Sequence, residues 1–503
     1  MNTLPKNLYR AAQVRELDRI AIEDHRLTGM SLMERAGQAA FTVLRSRWPR
    51  VRRIAVMCGT GNNGGDGYVV ARLAATAGIR VVLYQVGDPA RLSGDALMAH
   101  DRLEGANVEI HAFDAGHTLE LFDVVVDGLL GTGLTGEVKP GWRAAIDAIN
   151  NATHGQRPGI VALDIPSGLQ ADTGAVLGSA VRADVTVTFI GMKQGLLTGA
   201  GPAQCGDLVF SDLQVPYQIY SSVPVASHRI QLDDFIHSLP MRPRDAHKGH
   251  FGHVLVIGGN LGMSGAVRMA AESAARVGSG LVSVATRPEH AAFINAGCPE
   301  LMCHAVRRKR DLSPLLAKAS VVAIGPGLGQ DAWAKDMLTT VLDGSAPLVI
   351  DADALNLMAQ EPTYSDRWIL TPHPGEAARL LDSTASRIQA DRFTTASEVQ
   401  ACYGGVCVLK GAGTIVATGK DIPAVCAAGN PGMASGGMGD VLTGAIAGLL
   451  AQGLTLSDAA QLGVCLHATA ADYAAAKGER GLLASDLLPY LRDLVNWQQL
   501  QRD

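Results

Sequence analysis

Two glycine-rich runs hold the groups best suited to binding anions. The first is Gly59-Thr60-Gly61-Asn62-Asn63-Gly64-Gly65-Asp66-Gly67; the second is Gly429-Asn430-Pro431-Gly432-Met433-Ala434-Ser435-Gly436-Gly437-Met438-Gly439-Asp440. Glycine lets the main chain approach a ligand closely and adopt positive φ, so bare N–H groups can face phosphate oxygens. The second run precedes an apolar helical segment, Val441–Leu450. That places stacked N–H groups and a positive helix end around an anion, with Asp440 beside it. Such a loop neutralises a phosphoryl group in transfer while the aspartate takes a proton from an attacking hydroxyl. No GxxxxGK[ST] run occurs, which excludes a P-loop NTPase. Two loops of different design predict two active sites for related nucleotide-like ligands.

The first run fits GxGxxG after the apolar stretch Ile54–Cys58. The acid that a dinucleotide site places about 20 residues on has no clear counterpart, since Asp88 comes late. Two further apolar stretches end on aspartates, Asp127-Gly128-Leu129-Leu130-Gly131-Thr132-Gly133 and Asp164-Ile165-Pro166-Ser167-Gly168. Strands of an open parallel sheet share one crevice at their carboxyl ends, so Asp66, Asp127 and Asp164 are expected to converge there. The plainer alternatives are a structural turn for the glycines and helix capping for any single aspartate.

These groups need a scaffold, and the chain supplies two. Near-continuous apolar runs predict parallel strands covered on both faces. In the first half they are Ile54–Cys58, Val81–Val86, Asp123–Gly128, Ile160–Ile165 and Val185–Ile190, after a helical stretch over 1–50. In the second half they are His253–Ile257, Leu281–Ala285, Val321–Ile324, Leu348–Ile350, Ile369–Thr371 and Val406–Leu409, with helices at Ala266–Val277 and His467–Ala476. Periodicity is lost over Pro216–His228, a Ser/Pro/Val stretch read as an interdomain linker. The expected division is 1–218, a linker at 219–228, and 229–503. A chain of 503 residues with 57 glycines and 47% hydrophobic residues suits a two-domain α/β enzyme. Net charge of −5 gives no general attraction to nucleic acid or anionic membrane. Eight cysteines without a CxxC pair fit reduced thiols. With no apolar leader and no apolar run long enough to span a bilayer, a soluble cytoplasmic protein is expected.

The run Asn62–Gly67, the Asp127–Gly133 segment and Asp164–Ser167 together resemble the N-terminal domain of the NAD(P)H-hydrate epimerases, over roughly residues 10–215. The resemblance implies a Rossmann-like three-layer sandwich. It implies that Asn62, Asn63, Gly64, Gly65 and Asp66, with Gly131, Thr132, Gly133, Leu134, Thr135, Gly136 and Glu137, hold the phosphates and ribose of the ligand. Asn63, Asp127 and Ser167 would bind K⁺ through oxygens suited to a hard cation. Asp164 would be the acid/base at the hydrated nicotinamide ring.

The run Gly429–Gly444 resembles the ribokinase-like dehydratase domain of the same repair enzymes, over roughly 229–500. Support comes from His247–Gly249, Gly258–Ala266, Gly325–Gly329, Asp351–Asn356, Leu370–Glu376 and Lys410–Thr414. The likeness implies that Lys410, Gly411, Ala412, Gly413, Thr414 and Gly439 hold the nucleotide. Ala266, Gly327, His373 and Asp440 would line the hydrate side, with Asp440 as catalytic base. Glu376 stands where ribokinase-like kinases end an Asn-x-x-Glu motif that organises Mg²⁺, with His373 in the Asn position. Lys248 is a candidate phosphate contact. The implied co-substrate is ADP, the substrates are NADHX and NADPHX, and a homo-oligomer is expected, with no nucleic-acid or membrane partner. The alternative is a vitamin or sugar kinase carrying a non-catalytic N-terminal binding module.

Overall fold

A computed structural model of the chain describes residues 4–152, 158–235, 237–239 and 241–496. The chain divides into two compact units, Met1–His228 and Arg229–Asp503.

In the first unit seven parallel strands form one sheet: β1 (Arg53–Cys58), β2 (Arg80–Gln85), β3 (Val108–Ala112), β4 (Val124–Gly128), β5 (Gly159–Leu163), β6 (Val185–Phe189) and β7 (Asp207–Ser211). Their spatial order is β3-β2-β1-β4-β5-β6-β7. Strand order therefore reverses between β1 and β4, and ligands bind outside the carboxyl ends at such a switch point. Met57 is in register with Asp127 and Cys58 with Gly128, which sets the end of β4 beside the glycine loop. A separate hydrophobic core covers each sheet face, giving the three layers expected. Helix α1 (Ala11–Glu23) buries Val14, Leu17, Ile20 and Ala21, the spacing that fixes one helical face. Helix α2 (Gly29–Arg47) is capped by the Thr28 side chain accepting from Ser31 N–H, and helix α3 (Asn62–Thr76) begins in the glycine run itself.

Residues 219–228 pack on this unit instead of forming a free linker. Ile219 and Val223 enter its core, the Tyr220 hydroxyl donates to the Ile190 carbonyl at 2.8 Å, and Ser227 pairs with Leu8. The apolar Ile219/Val223 pair buries enough surface to order a segment whose composition reads as a loop.

The second unit builds a nine-strand stretch of sheet: β8 (His253–Ile257), β9 (Leu281–Thr286), β10 (Met302–Ala305), β11 (Val321–Ile324), β12 (Leu348–Ile350), β13 (Trp368–Leu370), β14 (Val406–Leu409), β15 (Thr414–Ala417) and β16 (Ala424–Cys426). The order is β16-β15-β14-β13-β12-β11-β8-β9-β10, parallel except for the last hairpin of β15 and β16. This is the ribokinase-like α/β arrangement expected, with its switch point between β8 and β11. Helices α4 (Ser264–Arg276), α5 (Met438–Ala451) and α6 (Leu456–Ala474) pack into the core on one face. No helix among the described residues is long and apolar enough to cross a membrane. All eight cysteines are free.

Candidate active sites

A cavity of about 590 Å³ opens at the first switch point. Thr60, Gly61 and Asn62, at the start of α3, line it together with Gly131–Thr135 from the loop after β4. The uncapped N–H groups of the helix start and its positive end give this wall the chemistry of an anion site. Gly136 and Glu137 lie beyond the lining, and Gly64 and Gly65 lie behind it. A Cβ on Gly64 would sit 2.1 Å from the Gly59 carbonyl oxygen, so only glycine lets the helix start this close to the end of β1. Gly65 abuts the Met33 side chain of α2 in the same way. These two glycines shape the cavity wall from behind.

Behind the cradle the Asp127 side chain is fully buried. It accepts from Ser167 N–H at 2.8 Å, Ser167 Oγ–H at 2.6 Å and Leu129 N–H at 3.2 Å. Burial pushes its carboxyl up to about 6, and the bonds from Ser167 and Leu129 hold it from rising further. Asn63 Nδ2 donates to the Leu130 carbonyl at 3.1 Å, which leaves its buried Oδ1 with no hydrogen-bond partner. An unpartnered amide oxygen beside a buried carboxylate and a serine hydroxyl is a donor set for a hard cation.

Asp164 follows β5 with φ of 63°, a strained setting that a non-glycine residue keeps when the surroundings over-determine it. Its N–H donates to Val187 O at 2.7 Å, and its carboxylate accepts from Phe189 N–H and from the Lys193 ammonium. Lys193 is fully buried and also donates to Thr188 Oγ1 at 3.0 Å and Phe189 O at 3.1 Å. Sequence reading missed Lys193, which carries no motif. Asp66 lines the same cavity. Loss of water, then Asp164 and Asp18, push its carboxyl well above the carboxylate range.

The second site forms where the loops after β8 and β11 interlock. Gly259 N–H donates to Pro326 O at 3.1 Å and Asn260 N–H to Gly327 O at 2.7 Å. Gly327 has φ of 58°, and a Cβ there would lie 2.6 Å from Met263 O and 3.2 Å from the Ala266 methyl. The structure thus brings Ala266 and Gly327 together, as expected from the sequence.

At the centre lies Lys410. Its ammonium donates to Asp351 Oδ1 at 2.6 Å and stands 3.7 Å from Glu376 Oε2. Burial alone would lower its affinity for a proton, but Asp351 and Glu376 outweigh burial and raise it. Asp351, 1% exposed, also accepts from Thr443 Oγ1 at 2.8 Å. Gly439 sits over this pair: a Cβ on it would lie 3.3 Å from Lys410 Nζ. Asp440 stands in the first turn of α5, whose N-cap Gly437 takes φ of 92°. Burial and the nearby Asp351 push the Asp440 carboxyl up to about 7, with Lys410 opposing.

Sequence reading also missed Arg392. Its buried guanidinium donates to the carbonyls of Leu409, Lys410 and Gly413, and so holds the Lys410–Gly413 loop from behind. Thr414 begins β15 and is half-buried. His373 caps the helix at Pro374–Leu380: Nδ1 accepts from Gly375 N–H at 2.9 Å and Glu376 N–H at 3.2 Å. Its Nε2 lies 3.2 Å from Glu376 Oε1, and burial with Lys410 nearby lowers its pKa, keeping the ring neutral. Lys248 is exposed on the turn Lys248–Phe251 at the amino end of β8, opposite the end that carries the site, so it is no phosphate contact there. Among the described residues no group of three or more His, Cys, Asp or Glu side chains is placed to hold a metal ion.

Comparison with known proteins meets this geometry. A family model described as YjeF-related protein N-terminus matches residues 29–195, and one described as NAD(P)H-hydrate dehydratase matches 254–492. The chain is 52% identical over 490 residues to the bifunctional NAD(P)H-hydrate repair enzyme Nnr of Coxiella burnetii, covering 97% of this chain and 99% of that protein. It is 44% identical over 495 residues to the protein of the same name from Escherichia coli K12, covering 98% and 95%. Among solved structures, a hypothetical protein from Streptococcus mutans is 31% identical with a TM-score of 0.50, covering 54% of this chain and 99% of that one. Both halves match in order and at near-complete length, and the chain belongs to the family of bifunctional NAD(P)H-hydrate repair enzymes.

Proposed function

We propose that the two sites act in sequence on one damaged cofactor. The first interconverts the R and S epimers of hydrated NADH and NADPH; the second dehydrates the S epimer at the expense of ADP. The observation that carries this reading is the pairing, in each unit, of a glycine cradle at a switch point with a carboxyl–lysine cluster beside it. The kinase alternative leaves the whole first site without a task.

In the first unit the cradle of Thr60–Asn62 and Gly131–Thr135 takes the pyrophosphate, and Asp164 moves a proton at the hydroxyl-bearing ring carbon. Lys193 fixes the Asp164 carboxylate in place. Asn63, Asp127 and Ser167 hold K⁺; the unpartnered Asn63 Oδ1 supports this. The ion supplies a fixed positive charge close to the cradle.

In the second unit the Lys410–Thr414 loop and Gly439 hold the nucleotide. Asp440 takes the proton of the ring hydroxyl as its oxygen bonds to the terminal phosphorus and the ADP phosphoanhydride breaks. Hydroxide leaves carbon badly and phosphate leaves well. The phosphate then departs with its C–O electron pair, water takes a proton from the neighbouring ring carbon, and the C–H electrons form the restored dihydronicotinamide double bond. Mg²⁺ is bound through phosphates, water and one or two carboxylates. Glu376 would be the carboxylate nearest it by the resemblance, though its Oε2 already accepts from His373 N–H at 2.7 Å. The eight free thiols support a reducing, cytoplasmic setting.

Initial rates on separated epimers test the reading. The R epimer should convert to S without nucleotide, and dihydronicotinamide should form from S only with it. Asp127→Ala should weaken K⁺ affinity by at least about tenfold and slow epimerisation. Dehydration of pure S epimer should stay within about twofold of the parent protein. Loss of both activities in a folded variant contradicts separate sites.

A further inference from the structure

Asp18 lies on α1 and points into the first cavity with Val14, Arg15 and Ile22, one face of the helix. No motif flags it, and the functions assigned above do not use it. Among the described residues its carboxyl makes no hydrogen bond and no ion pair. Asp164, by contrast, is fixed by Lys193 and the Phe189 N–H. Both carboxyls line the cavity, one carried by a helix and one by the residue that follows β5.

Inversion at a carbon that bears both a hydroxyl and the ring nitrogen sets a two-sided demand. The hydroxyl leaves from one face and an oxygen returns on the other. One carboxyl acid is needed where oxygen departs, and one carboxylate where water arrives. Given the epimerase reading, we infer that Asp18 is the second proton-transfer residue of the first site, working as the counterpart of Asp164.

The step balances. A carboxyl proton passes to the hydroxyl oxygen, the C–O bond breaks, and water leaves. The ring nitrogen lone pair forms a C=N⁺ bond. Water adds from the opposite face, the π pair returns to nitrogen, and the water proton passes to the other carboxylate. The protonated partner then serves the reverse direction. The cavity suits the cation: the carboxyls of Asp18, Asp95 and Asp164 line it, with Arg15 as the cation among its lining residues. Preorganised charge aimed at a developing cation is the strongest catalytic device available to such a site.

The groups that act on Asp18 are Lys193 and Arg15, which favour its ionised form, and Asp164, which opposes it. Asp66 on α3 and Tyr220 also feel its charge. Burial, the largest influence, pushes its carboxyl up to about 6. As the acid for one direction, Asp18 must be protonated, so kcat/KM in that direction falls as pH rises through about 6.

The test uses the full chain, pure R epimer of hydrated NADH and no nucleotide, so that the second site stays silent. Asp18→Asn should lower kcat about 10²-fold with KM within about threefold, and should remove the break near pH 6. Asp18→Glu should recover part of the rate. Each inversion in H₂¹⁸O should place one ¹⁸O on the ring carbon. Unchanged kcat, an unchanged pH profile, or a rise in KM alone overturns the role of Asp18; retained ¹⁶O overturns the C–O cleavage step. A piece ending at His228 that carries Asp18→Asn and unfolds at the parent piece's thermal midpoint reports that the first unit is folded. If the parent protein fails to interconvert the epimers, the epimerase reading itself falls, a result distinct from any of these.

Discussion

Asp440→Asn should abolish most dehydration while leaving the fold and nucleotide binding intact. In the proposed reaction Asp440 takes the hydroxyl proton, and removing a general base costs between about 10² and 10⁴ in rate. Asparagine keeps the size and polarity of the first turn of α5, and the Lys410–Thr414 loop remains held by Arg392. The pH dependence sharpens the expectation. A base works in its ionised form, and burial with Asp351 nearby raises Asp440 to about 7. Dehydration by the parent protein should therefore fall as pH drops through about 7, roughly tenfold per unit below it, and level off above. The variant should show its residual rate without that limb. Recovery of dihydronicotinamide absorbance from pure S epimer with ADP measures both. A variant within a few-fold of the parent rate would rule out this role for Asp440.

Asp164→Asn should silence the first site alone. Epimerisation should fall by about 10² to 10⁴, with dehydration of S epimer unchanged within about twofold. The backbone at 164 has φ of 63°, and asparagine is the non-glycine residue that best tolerates that region. Its amide oxygen can still accept from the Phe189 N–H, and Lys193 keeps Thr188 Oγ1 and Phe189 O. Asp164→Ala removes those compensations: it leaves a fully buried ammonium without its carboxylate, a change costing about 3–5 kcal/mol. The alanine variant should therefore lower the thermal midpoint as well as the rate. Separating the two effects by activity and thermal unfolding distinguishes a proton-transfer residue from a structural one. Equal loss of both activities in a folded asparagine variant would contradict the assignment.

The strands that were legible in the sequence are the buried ones. β1, β4, β5, β8, β11 and β14 are apolar on both faces, so each reads as an unbroken run whose ends move by a residue or two. β3 and β10 escaped notice because they are edge strands, largely exposed and mixed in composition. The hairpin of β15 and β16 was hidden because Thr414 reads as the end of a glycine loop. Loop motifs announced themselves through glycine. The residues that support them did not: Lys193 and Arg392 are single charges in ordinary surroundings, and their partners come from other elements. Asp18 left one faint mark, an acid placed four residues from both Val14 and Ile22, on the helix face that lines the cavity. The Ile219/Val223 spacing was the corresponding signal that the assumed linker is packed.

Two independent sites in one chain can be tested by cutting it. Each unit has its own sheet and core, and the division falls between His228 and Arg229. Chains ending at His228 and starting at Arg229, made separately, should both be soluble. The decisive measurement is dihydronicotinamide formation from pure R epimer, followed as an initial rate. The first piece alone should form none, but should convert R to S. The second piece with ADP should give only the slow rate set by spontaneous epimerisation. Both pieces with ADP should restore rapid formation, and omission of ADP should stop it. Rapid formation from R epimer by the second piece alone, or none from the two combined when each is folded, would contradict the two-site account.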